Sequence, residues 1–285
     1  MMFSKTSAIL VYTNCVYSLY INFSFKQYTT KYICKHNIII KQYKERKHKG
    51  KKMISTGNKD IDEFLEGYKE EITMIYGPPA SGKTTLATIA ALKQAEEKKR
   101  VVYLDTENGF NIERAKQLAS GKEELLQNII VLKIRSFKDQ IRKFELLKQI
   151  VKKGKVGLVV VDTISHHYRV ALIKNAKETN NSMAEQLKQL RLITKENIPV
   201  LITTQVYTDP KNNEIKCVGG DMVCDFSKKI IELGIEPRFI RLKKPEKKEM
   251  RFKILENGIQ KTQDNNPETG SKPNTDVPDR VLSSL

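Results

Sequence analysis

At 285 residues, 39% hydrophobic and 29% charged, the chain reads as a soluble globular protein with a well-filled core, in one large domain or two small ones. Its 51 Lys and Arg against 33 Asp and Glu leave +18, which suits a polyanion partner such as nucleic acid as readily as a merely basic protein. The lack of tryptophan excludes a Trp base-stacking platform, and the four cysteines form no C-x-x-C pair and no zinc spacing.

Residues 1–52 carry 11 Lys or Arg and one acid, Glu45, a net of +10. Within this basic N-terminal extension, 7–25 is fairly apolar but is broken by Thr13, Asn14, Ser18, Asn22 and Ser24. A spanning helix needs about 20 predominantly apolar residues, so no membrane anchor is expected. The Ile/Lys/Asn/Tyr bias is that of translated AT-rich non-coding sequence, whereas Met53 opens a well-patterned segment. The expectation is a native start at Met53 and a cytoplasmic protein.

From there strands and helices alternate. The run 72–76 is a short apolar strand, followed by a glycine loop and a helix to about residue 98. Strands are predicted at 101–104 and 128–132 and a helix at 137–151; 158–161 is wholly apolar between Gly157 and Asp162, as a central parallel strand should be. A helix over 182–195 leads to a strand at 199–203, and three strand-like runs at 228–233, 238–242 and 250–255 then follow without helices between them. These three are expected to pair antiparallel at a sheet edge. The pattern predicts one α/β domain over 53–261, with a mostly parallel central sheet flanked by helices. The Pro-rich polar segment 262–285 is read as a disordered tail. Cys217 and Cys224 are close enough to pair, but free thiols in a reducing cytosol are the expectation, with Cys15 and Cys34 likewise idle.

The chemistry concentrates at strand ends. Gly77-Pro78-Pro79-Ala80-Ser81-Gly82-Lys83-Thr84 satisfies G-x-x-x-x-G-K-[ST] between a strand and a helix, with Thr85 next in the helix. Its glycines let backbone N–H groups curl inward onto phosphate oxygens, and the helix adds its positive end. Lys83 then supplies a point charge to the β/γ-phosphates and Thr84 a hydroxyl to Mg²⁺, which makes ATP with Mg²⁺ the expected ligand. Asp162 ends a buried strand, facing the crevice where such sheets bind ligands, and is the candidate to hold the metal. Glu107, two residues beyond Asp105, is either a water-polarising carboxylate or a capping, solvated acid. Gln205, after Thr203 and Thr204, is on its own a weak candidate to bond the γ-phosphate.

In this order and spacing, these features resemble the RecA-type recombinase core. Ile54-Ser-Thr-Gly57 and Ile61-Asp62-x-Phe64-Leu65-x-Gly67 are similar to the segment that precedes the phosphate loop in archaeal and eukaryotic recombinases. Asp105-Thr-Glu107-Asn-Gly-Phe110 with Glu113-Arg114 is similar to their D-T-E-G-x-F-x-x-E-R stretch. Thr204-Gln205-Val206 resembles their N-Q-V, and Gly219-Gly220 the glycines that close the second DNA loop. The likeness covers about 53–258 and is greatest to the archaeal recombinase paralogues, judging by Pro78-Pro79, Ser81, Ile164-Ser-His-His-Tyr168-Arg169 and the absence of a Phe-x-x-Ala tetrapeptide. Thr163 replaces the usual Ser, Thr204 replaces Asn, and a glycine cluster is reduced to Gly67.

The resemblance implies a RecA-like P-loop ATPase core. Glu107 is then the catalytic carboxylate, Arg114 packs on the adenine, and Gln205 senses the γ-phosphate. It further implies that the loops after Asp162 and Gln205 face DNA, offering Arg169, Lys174 and Lys177 from the first and Tyr207, Lys211 and Lys216 from the second. The implied role is an accessory of homologous recombination and repair that binds DNA, single-stranded in preference, and hydrolyses ATP slowly. Its implied partners are the main recombinase and a Holliday-junction resolvase. A RecA-like regulatory ATPase that uses no DNA and a strand-exchange recombinase remain the alternatives. A GTPase is disfavoured, because Asn58-Lys59-Asp60 lies before the loop at the wrong spacing.

Overall fold

The buried run Ile72–Tyr76 forms β1, the strand on which the rest is built. The computed structural model describes residues 53–208 and 215–262. The expected N-terminal extension, the polar tail beyond residue 262 and Lys211 therefore lie outside the described residues.

Before β1, α1 (Lys59–Leu65) starts where the Asn58 side chain accepts from the Ile61 N–H, and it buries Ile61 and Leu65. After β1 come α2 (Lys83–Glu96), β2 (Arg100–Asp105), α3 (Ile112–Ala119), a 3₁₀ turn at Glu123–Asn128 and β3 (Ile129–Lys133). Ser136 caps α4 (Phe137–Lys152) through the Asp139 N–H, and β4 (Val156–Asp162) follows, buried at every position. Then come α5 (His166–Lys174), α6 (Ala176–Lys195), β5 (Val200–Thr204), the short β6 (Val206–Thr208) and β7 (Ile215–Cys217), and α7 (Gly220–Phe226). The chain ends its regular structure with β8 (Lys229–Leu233), β9 (Phe239–Lys244), β10 (Lys248–Leu255) and β11 (Gly258–Lys261).

Among the described residues, nine strands make one sheet in the order β11-β10-β9-β8-β1-β5-β4-β2-β3. Alternate residues of its parallel centre feed two cores. Ile75, Val101, Tyr103, Leu158, Val160 and Leu201 pack with α1 and α2, while Met74, Val102, Leu104, Val159, Val161 and Ile202 pack with α4 and α6. Helices on both faces explain why these strands read as unbroken apolar runs. The three C-terminal runs pair antiparallel at the sheet edge as expected, β8 with β9 and β9 with β10. On its other side β8 pairs parallel with β1, which joins this edge to the parallel centre, and the unforeseen β11 extends it antiparallel to β10. The preceding α7 acts as the crossover that allows the parallel pairing. No helix among the described residues is long and apolar enough to cross a membrane.

Lys229, at the start of β8, is buried and donates from Nζ to the carbonyls of Leu65 (2.6 Å) and Gly67 (2.7 Å). Burial pulls its amine below the ordinary lysine value. It closes the C-terminal end of α1, whose carbonyls otherwise lack partners. Lys229→Met should therefore cost about 2–3 kcal/mol, the usual worth of hydrogen bonds from a charged donor together with the acceptors it strands. Urea unfolding checks this: the midpoint should fall at constant slope, and an unchanged midpoint would show that α1 holds without the cap.

Candidate nucleotide site and the ribbon beside it

The phosphate loop needs its glycines for identifiable reasons. A Cβ on Gly77 would sit 2.4 Å from the Leu233 carbonyl oxygen, and Gly82 takes φ 106° where a Cβ would meet Ile254 at 2.9 Å. Ala80, between the prolines and Ser81, is also left-handed at φ 59°, and the Arg238 guanidinium donates to its carbonyl at 2.9 Å. The Lys83 amine donates to the carbonyls of Gly77 (2.9 Å) and Pro78 (2.8 Å). Burial pulls this amine below the ordinary lysine value, and the charges of Asp162 and Glu107 oppose that pull. The Ser81 hydroxyl is buried without a hydrogen-bond partner among the described residues.

Asp162 lies beside the loop. Its Oδ2 accepts from the hydroxyls of Thr84 (2.8 Å) and Tyr103 (2.7 Å), and its Oδ1 accepts from Thr203. Burial holds the carboxyl above its ordinary value, against the three hydroxyl donors. Tyr103 and Thr203 were not candidates from sequence. The signal for Tyr103 is a lone hydroxyl in an otherwise apolar run, and for Thr203 its register, since Val161 pairs with Ile202 and Thr203 is therefore next to Asp162.

Asp105 does not face this centre as a second acid. Its carboxylate accepts from the backbone N–H groups of Glu107, Gly109 and Phe110 (3.0–3.3 Å), folding residues 107–110 around itself and so placing Glu107. The Glu107 Oε1 accepts from Thr163 Oγ1 at 2.9 Å and from Gln205 Nε2 at 2.7 Å, with His166 Nδ1 3.5 Å away. Thr163 follows Asp162, so Glu107, Asp162, Thr84, Lys83 and Gln205 form one connected cluster at the C-terminal ends of β1, β2, β4 and β5.

Gln205 also begins a two-stranded ribbon. Its carbonyl accepts from the Val218 N–H at 2.8 Å, and β6 pairs antiparallel with β7 so that Tyr207 stands opposite Lys216. Tyr207 is exposed. The other proposed DNA contacts are placed differently from expectation. The segment after Asp162 is helical from His166, so Arg169 and Lys174 lie on α5 and Lys177 in the first turn of α6, all exposed, rather than in a loop. Only Tyr168 of α5 is buried, which left no amphipathic stripe to read. Arg114, on α3, is bonded in its guanidinium plane to Gln117 Oε1 (3.0 Å) and to the carbonyls of Leu255 (2.7 Å) and Glu256 (2.8 Å). Those carbonyls lead into the β10–β11 hairpin, and Ile254 beside them packs against Gly82. Pro78 and Pro79 stiffen the loop, and Thr85 lies in the first turn of α2, partly buried.

The family model described as Rad51 matches residues 47–262. A DNA repair and recombination protein RadB from Methanococcus maripaludis (strain C7 / ATCC BAA-1331) is 38% identical over 214 residues, covering 70% of this chain and 97% of its own. The protein of the same name from Thermococcus sibiricus is 34% identical over 223 residues, covering 73% and 95%. The chain belongs to the Rad51 family, in its RadB branch. A solved structure described as the RadB recombinase superposes with a TM-score of 0.61 at 35% identity, covering 74% of this chain and all of that one. The RecA-like fold read from the sequence is thus the fold of a RadB-type protein, and ATP and DNA binding are typical of that family.

The residues of this RadB-type site fit the nucleotide and metal that the fold implies. A carboxylate and a hydroxyl 2.8 Å apart are hard oxygen donors of the kind Mg²⁺ takes. Lys83 has no ion pair among the described residues, and the Ser81 hydroxyl is buried and unpartnered. A cation and a polar group of that kind suit a phosphate chain.

Proposed function

We propose that this chain is an ATP- and DNA-binding accessory of homologous recombination and DNA repair, a weak Mg²⁺-dependent ATPase whose nucleotide state is passed to the DNA-binding ribbon. The 2.7 Å bond from the Gln205 amide to Glu107 supports this reading most directly, because it joins the candidate water activator to the first residue of the ribbon.

In this reading residues 53–261 are the ATPase core. The backbone of Gly77, Pro78, Pro79, Ala80, Ser81 and Gly82 wraps the phosphates, with Thr85 beside them. Lys83 donates to β/γ-oxygens, while Thr84 and Asp162 hold the metal. ATP with Mg²⁺ supplies the reactive γ-phosphoryl group and its charge neutralisation. Glu107 accepts the proton of a water aligned by its neighbours. Gln205, whose amide donates to Glu107, is equally able to donate to a phosphate oxygen, and a change of acceptor would pull on Val218 and the ribbon. Arg114 uses the edges of its guanidinium on carbonyls, which leaves stacking as the means by which its face meets the adenine. Arg169, Lys174, Lys177, Tyr207, Lys211 and Lys216 contact DNA, single-stranded in preference. The main recombinase and a Holliday-junction resolvase are the proposed protein partners, in the cytoplasm.

A gel-shift series with single-stranded DNA, with and without ATP, tests the reading: affinity should depend on ATP. No binding in either condition would favour a regulatory ATPase that uses no DNA. Neutralising Lys211 and Lys216 together should weaken DNA binding and flatten its log–log salt dependence by about 0.7 for each phosphate no longer neutralised. ATP affinity should barely change. Identical salt slopes for the double variant and the parent would take both lysines out of the interface.

A further inference from the structure

Cys217 ends β7 and Cys224 lies on α7, yet their sulfurs are 3.4 Å apart, the thiols are free and both residues are partly exposed. Between them the chain turns through Gly219 (φ 98°) and Gly220 (φ 51°), both left-handed, so it doubles back tightly enough to bring the two thiols together. A disulfide sets its sulfurs about 2.05 Å apart, so closure needs only a small side-chain rotation at this distance. The pair is chemically unequal. A hydrogen bond from Cys224 draws the Cys217 thiol down to about 7, while the same contact, burial and the nearby carboxylates push Cys224 up. A thiolate next to a protonated thiol is the arrangement of a nucleophile with its resolving partner.

We propose that Cys217 and Cys224 are a redox-modification site, at which a low-molecular-weight disulfide oxidises them to an intramolecular disulfide that staples the ribbon to α7. The Cys217 thiolate attacks one sulfur of the small disulfide and expels the first thiolate. Cys224 gives up its proton and attacks the Cys217 sulfur of that mixed disulfide, expelling the second. Two protein thiols and one small disulfide become one protein disulfide and two small thiols, with two electrons passed to the oxidant. The position gives the bond a consequence, which rests on the DNA-binding reading above. Val206 is paired with Cys217, and Val218, the next residue, holds the Gln205 carbonyl. A staple across the glycine turn therefore fixes the strand through which Gln205 would move the ribbon. Oxidation should lower single-stranded DNA affinity severalfold in the presence of ATP and leave ATP affinity unchanged.

The full chain is equilibrated with reduced and oxidised glutathione at graded ratios, acid-quenched and peptide-mapped by mass spectrometry. A Cys217–Cys224 cross-link reversed by dithiothreitol is the expected product. Cys224→Ser should accumulate a glutathionyl adduct on Cys217, and Cys217→Ser should leave Cys224 largely unmodified. No cross-link at the most oxidising ratio, or cross-links that run instead to Cys15 or Cys34, would overturn the site. A quantitative cross-link with unchanged DNA affinity would overturn its regulatory consequence. Absence of DNA binding in the reduced protein would count against the proposed function and leave the cross-linking result to decide the site.

Discussion

Lys83→Ala is expected to lower ATP affinity by about 100-fold or more. The amine is buried at the mouth of the loop and touches only the carbonyls of Gly77 and Pro78 among hydrogen-bond partners. On the phosphates it would make charge-assisted bonds worth about 1.5–3 kcal/mol each, and a loss near 3 kcal/mol is about two decades in affinity. The fold should survive, since both present partners belong to the same loop. Equilibrium binding of a fluorescent ATP analogue, with circular dichroism as control, measures it. Unchanged affinity in a folded variant would sink the phosphate-loop assignment.

The second large effect is on turnover. Glu107→Gln keeps an Oε1 that accepts from Thr163 and Gln205, so the local geometry should persist. The base is gone, however, and loss of a general base costs about 10²–10⁴-fold. ATP should bind as before while hydrolysis collapses. Because the parent rate is itself expected to be low, single-turnover assays with radiolabelled ATP are the suitable measurement. Full activity in the variant would place water activation elsewhere, and His166, whose Nδ1 lies 3.5 Å from Glu107 Oε1, would be the next residue to vary.

What was legible in the sequence follows the range of the interactions involved. The phosphate loop is a local backbone requirement, so eight consecutive residues state it. Asp162 could be read because burial on both sheet faces leaves an apolar run whose first polar residue marks the crevice. Glu107 was ambiguous in the sequence because its placement depends on Asp105, which binds three backbone N–H groups of the turn that carries it. The α5 helix was hidden because its burial rests on one tyrosine, whose hydroxyl donates to Asn180. The parallel pairing of β8 was hidden because its partner is β1, far back in the chain. Arg114 shows the same limit: its partners, Leu255 and Glu256, lie on a hairpin that no local pattern links to α3. The Cys217–Cys224 approach depends on a glycine turn and a helix start acting together, and spacing alone left them as idle thiols.

Asp162 sets the fold and the function at odds. Its carboxyl is held above the ordinary value by burial, so the folded chain retains that proton to higher pH than the unfolded one. Raising the pH from the ordinary carboxylate range up through the folded value therefore drains stability from the native state. The ionised form of this buried carboxylate is a liability to the fold, offset by the three hydroxyl donors and the charge of the nearby Lys83 amine. A cation settling on Asp162 and Thr84 would remove the liability as it bound, so the metal would act as a folding ligand as well as a catalytic one. Heat tolerance would then report how fully the site is loaded, and the unloaded protein is the form most exposed to unfolding and clearance.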